Sequence, residues 1–167
     1  MFKFAIALSA LTLALPAPAA PKPTELHFGS EPWRLALSLG DLKPTEGAPS
    51  SADRHVYTYS NDRLEVLSVI VEDAHSPATL DSCRDVFARR KQGMPIVNEV
   101  QGQSGDAATQ EYDFKAEFEG KAMVQHNAFS CRVRGNYYID VHASKMDYRP
   151  SERGAVLALI DAVTIVE

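Results

Sequence analysis

Asp113, His126, His142 and Ser144 are the residues of this 167-residue chain whose types could do chemistry together. Two imidazoles and a carboxylate suit zinc or iron, which makes Asp113, His126 and His142 a candidate metal set. Asp113, His126 and Ser144 have instead the make-up of a hydrolytic triad, in which a carboxylate orients the imidazole that deprotonates a hydroxyl. No familiar motif backs either reading. Gly102-Gln103-Ser104-Gly105 falls one residue short of G-x-S-x-G, and H-E-x-x-H, a Gly-rich phosphate loop and an EF-hand loop are all missing from the sequence. A site must therefore be assembled by neighbouring strands.

Three strands are predicted to do this: Glu111 to Phe118, Lys121 to Val133 and Tyr137 to Ser144. They are separated by Glu119-Gly120 and by Arg134-Gly135-Asn136, short loops with Gly where a positive φ is needed. A two-residue turn at Glu119-Gly120 pairs Phe118 with Lys121 and so sets Asp113 opposite His126. A three-residue loop at 134–136 pairs Val133 with Tyr137, sets His126 opposite Ser144 and Ala128 opposite His142, and leaves Asp140 nearby. Directly opposed side chains have Cβ atoms about 5 Å apart. A two-residue slip would put Glu111 or Lys115 opposite His126 instead. The alternation makes Tyr112, Phe114, Phe129, Cys131, Val133, Ile139, Val141 and Ala143 one apolar core face. Lys115, Glu117, Arg132 and Tyr138 share the other face with the candidate residues, which fits a plain solvated sheet surface.

The remaining pattern supplies the scaffold. Trp33 to Leu39 alternates as a half-buried strand, and residues 40–54 read as a long surface loop. His55 to Tyr59 and Leu64 to Glu72 read as a hairpin. Ser76-Pro77 opens a helix whose buried stripe is Leu80, Cys83, Val86 and Phe87, and Gly93 and Pro95 stop it. Ile96 to Gln103 is a further strand. A last helix starts at Pro150-Ser151-Glu152 with Val156, Leu157, Ile160 and Val163 as its stripe.

Composition fixes class and compartment. With 45% hydrophobic and 23% charged residues the chain reads as an ordinary globular protein. A net charge of −5 argues against nucleic acid, whose phosphates need a basic face. Lys3, the mainly apolar run from Phe4 to Leu15, and Ala17-Pro18-Ala19 have the three-part layout of a secretory signal peptide. Cleavage after Ala19 is expected, leaving residues 20–167 as a single secreted or periplasmic domain with no membrane attachment. Cys83 and Cys131, the only two cysteines, are then expected to form a disulfide.

The order of strands, helix, antiparallel meander and final helix behind a leader resembles the PsbP-like family of extrinsic proteins. The stretches that carry the resemblance are His55-Val-Tyr-Thr-Tyr-Ser-Asn61, Leu64-Glu-Val-Leu-Ser-Val-Ile-Val71 and Gly135-Asn-Tyr-Tyr-Ile-Asp-Val-His142. It implies an α+β fold, a single antiparallel sheet with two helices packed on it, and a small accessory role. Since no nucleophile motif or ligand spacing stands out, the expected function is noncatalytic binding of an envelope or extracellular protein or a small ligand, without a resident cofactor. The rival is a metal-dependent or serine-type hydrolase using the Asp113/His126/His142/Ser144 face, with zinc or iron as the metal.

Overall fold

In the computed structural model, residues 22–46, 50–118 and 120–167 are described, and the expected leader at 1–19 lies outside them. The architecture corrects the single-sheet expectation. The protein is mostly β, with two sheets and two helices, not one PsbP-like sheet carrying both helices. A seven-stranded antiparallel sheet runs in the order β3-β4-β5-β9-β8-β7-β6. Its strands are β3 (Lys43–Thr45), β4 (Arg54–Ser60), β5 (Glu65–Asp73), β6 (Ile96–Ser104), β7 (Ala107–Phe118), β8 (Lys121–Arg134) and β9 (Tyr137–Met146). A second sheet of three strands has β2 (Arg34–Leu37) at its centre, flanked by β1 (Thr24–His27) and β10 (Val163–Val166).

The second sheet exists because β2 needs partners on both edges. Leu35 and Leu37 are fully buried against the large sheet, while their backbone groups pair with β1 on one side and β10 on the other. The periodicity puts Val163 on the stripe of the last helix, but that helix, α2 (Arg153–Asp161), is capped at Ala162, and Val163 begins the strand.

The helices lie on opposite faces of the large sheet. On one face, Leu67, Val69, Val71, Ala128, Ile139, Val141 and Ala143 form a core with Trp33, Leu35 and Leu37 of the second sheet and with Val156 and Ile160 of α2. On the other face, α1 (Leu80–Arg90) places Cys83 and Phe87 against Ala108, Tyr112, Phe129 and Cys131. Cys83 and Cys131 are bonded, with Cα atoms 5.8 Å apart. The helix is capped at Thr79 and starts at Leu80, later than Ser76-Pro77 suggests. Thr79 and Ser82 form a reciprocal capping box that satisfies the free amides of the first turn.

Both faces of β9 are therefore buried. The reason lies at the β8–β9 turn, where only Gly135 and Asn136 are unpaired and Arg134 lies opposite Tyr137. Gly135 has φ +57°, which a tight reversal here requires. The turn is one residue shorter than the sequence suggested, and a one-residue shift turns a strand over. Ile139, Val141 and Ala143 thus face α2 and the second sheet, while Phe129 and Cys131 face α1.

Candidate functional site

The β7–β8 register places Asp113 directly opposite His126, as the turn at Gly120 requires. Both are almost fully buried, at 9% and 5% exposure. His126 Nδ1 lies 2.7 Å from Asp113 Oδ1, and Asn98 Nδ2 donates to Asp113 Oδ2 at 2.7 Å. Asn98 sits where the β6–β7 register breaks between Val97 and Val100, with φ +55°. Such a bulge re-aims one side chain, and Asn tolerates the left-handed conformation better than most residues. Here it turns the amide onto the carboxylate.

The far side of the ring is closed in a different way. Tyr148 stacks on His126, with ring centroids 4.3 Å apart and planes 15° off parallel. Its backbone N–H donates to the Val124 carbonyl, which holds the segment after β9 over the ring. Burial, and then the neighbouring carboxylate of Asp113, push the Tyr148 phenol above its ordinary value, so it is a neutral hydroxyl. Glu111, two residues before Asp113 on the same face of β7, brings Oε2 to 3.5 Å from His126 Nε2. Arg153, in the first turn of α2, grips that carboxylate with two bonds, Nε to Oε2 and Nη2 to Oε1, each 2.7 Å. These groups line a cleft of about 240 Å³ with Asn98, Val100 and Pro150.

The other predicted residues are elsewhere. Lys145, not Ser144, is opposite His126, and its ammonium turns away to the Arg63 carbonyl and Glu152. Ser144 is paired with Asn127 on the α1 face. His142 is also on that face, opposite Phe129. Its ring stacks on Phe129 at 4.1 Å, and Nε2 lies 3.0 Å from Asn127 Oδ1. Asp140 lies opposite Cys131. The structure thus brings Asp113 and His126 together and separates them from His142 and Ser144 by the thickness of the sheet.

What remains is an Asp–His pair. Asp113 favours the tautomer with hydrogen on Nδ1, which points the Nε2 lone pair at the cleft, the arrangement of a general base. Yet Nε2 is buried without a hydrogen-bond partner, and its neighbour is a carboxylate, not a hydroxyl to be deprotonated. Among the described residues no group of three His, Cys, Asp or Glu is arranged to hold a metal ion. Glu111 was legible in the sequence, since a residue two before Asp113 shares its face. Asn98, Tyr148 and Arg153 were not, because a bulge and a strand-to-helix corner bring them in.

No family model matches the chain, and no curated protein matches it. Among solved structures it is similar to LpqN, described as involved in cell envelope biogenesis of Mycobacterium tuberculosis. Identity is 10%, 87% of this chain and 91% of that chain are covered, and the TM-score is 0.45. That likeness is too loose to carry an argument about fold or function, and the PsbP-like resemblance gains no support from the comparisons.

Proposed function

We propose that this is an exported, noncatalytic binding protein. The observation that carries the noncatalytic part is the Glu111 carboxylate 3.5 Å from His126 Nε2, itself held by both donors of Arg153. A hydrolase needs a nucleophile at that nitrogen and donors for the oxyanion beyond it. In this structure the position is taken by a clamped carboxylate. The polar cluster ties β6, β7 and β8 to the corner before α2, and this is a role in shape. Export is supported by the Cys83–Cys131 bridge, since reducing compartments keep such thiols free. Among the described residues no helix is long and apolar enough to cross a membrane.

The test is twofold. Protein recovered from its native compartment should begin at Ala20, carry one intramolecular crosslink by non-reducing mass spectrometry, and show no turnover of a simple activated ester above buffer. Ester hydrolysis that disappears in both His126→Ala and Asp113→Asn would overturn the noncatalytic reading. So would zinc or iron held at one equivalent and lost in His126→Ala.

A further inference from the structure

The largest cleft described lies away from His126, where the margins of the two sheets part. It measures about 610 Å³, within the range of small-molecule sites. Its walls come from the end of β2, the turn after it, and the β3–β4 margin: Leu37, Leu39, Leu42, Pro44 and the ring of Tyr59. Leu37, Leu42 and Tyr59 belong to the main core, so the cleft opens straight into apolar packing. Gly40, with φ +58°, reverses the chain between Leu39 and Leu42 and lets both leucines line the same space.

Charge distinguishes this cleft from its neighbours. Four other clefts among the described residues are each lined by at least one carboxylate, from among Glu111, Asp161, Asp106, Asp41 and Asp113. The apolar cleft has none, and its single charged lining residue is Lys22. In a chain of net charge −5, an apolar hollow lined by a lysine and by no acid selects against cations and favours an anionic group. Tyr59 adds a polar handle. Burial, with Tyr57 beside it, pushes its phenol above the ordinary value, so it stays a neutral donor.

We infer that this cleft binds a single-chain carboxylate amphiphile, a medium-chain fatty acid, with its chain between Leu37, Leu39, Leu42 and Pro44 and its carboxylate at Lys22. The inference rests on the binding reading and names its ligand class. It does not involve His126, so its failure is distinguishable from a failure of the noncatalytic reading, which is tested there.

Titration calorimetry with octanoate, decanoate and dodecanoate, each below its micelle concentration, tests it on the mature protein. One saturable site is expected, tightening about fifteenfold for each two-carbon step, since a buried methylene contributes roughly a factor of four. Decanol should bind more weakly than decanoate. Lys22→Glu, at an exposed position, should weaken decanoate by at least about threefold, the scale of an exposed ion pair reversed. Leu39→Glu should abolish binding. Leu39→Trp, which fills the cleft without adding charge, should weaken it and guards against a folding defect in the first variant. No saturable binding by the wild type would overturn the proposal. So would affinity indifferent to chain length, decanol matching decanoate, or Leu39→Glu and Leu39→Trp both binding as the wild type does.

Discussion

Replacing Cys83 and Cys131 together by alanine is expected to cost about 4 kcal/mol of stability. The bridge joins positions 48 residues apart, and the freedom an open denatured chain regains grows with the logarithm of that span, which gives about 4 kcal/mol at 25 °C. The native side adds to the loss. Both cysteines are fully buried in a small cluster with Phe87, Ala108, Tyr112 and Phe129, where removing two sulfurs leaves space that few neighbours can fill. Urea unfolding is the assay. With a slope of roughly 2 kcal/mol per molar for a chain of this size, the midpoint should fall by about 2 M. Hydrogen exchange should show α1 losing protection before the strands, because the buried apolar packing of the helix on the sheet lies in this small satellite cluster. A midpoint shift below about 0.5 M, with α1 protected as before, would show that side-chain packing alone holds the helix and that the loop argument is wrong.

Two further outcomes follow from the buried polar groups. Asp113→Ala leaves His126 Nδ1 and Asn98 Nδ2 without their acceptor, and thermal unfolding should register a loss of about 1–3 kcal/mol, larger than for Asp113→Asn, which keeps the volume and one acceptor. Although burial works against it, hydrogen bonds from Arg63 and Asn61 hold the Glu65 carboxyl below its ordinary value of 4.5. A carboxyl with a depressed folded value stabilises the fold above its unfolded value, and that contribution is lost as pH falls through the folded one. The stability of Glu65→Gln should therefore fall less steeply than wild type below pH 4.5, and parallel acid limbs would refute the assignment.

The sequence made the β7–β8 hairpin legible because Gly120 demanded a tight turn and both strands alternate cleanly, which fixed Asp113 against His126. The next hairpin was not legible to within one residue. Arg134 could belong to loop or strand, and the usual check, one wet face and one dry face, fails for β9. Ala143 is buried against one layer, while Asp140 and Ser144 are buried on the other face of the strand. With no polar face to forbid the slip, the pattern alone puts His142 and Ser144 on the wrong side. The β10 strand was hidden for a related reason. Val163-Thr164-Ile165-Val166 follows a helix directly, and four residues are too few to separate a continued helical stripe from a short strand. Asn98 was out of reach because a bulge leaves no periodic trace. The disulfide was legible since it needed only the helix face and the parity of β8, both set by local pattern.

The second sheet sets an order of events as the chain folds. Its central strand is sewn to a strand emerging far later, with Thr164 bonded to the Ala36 carbonyl across 128 residues. A polypeptide emerging from its N-terminal side displays Leu35 and Leu37 with one open edge until residues 163–166 are available to pair. Contacts of such long range close slowly, and an unfilled apolar edge recruits other chains in the meantime. The four-residue β10 therefore acts as a timing element. Until it pairs, β2 keeps an open edge, and once it pairs both edges of β2 are filled.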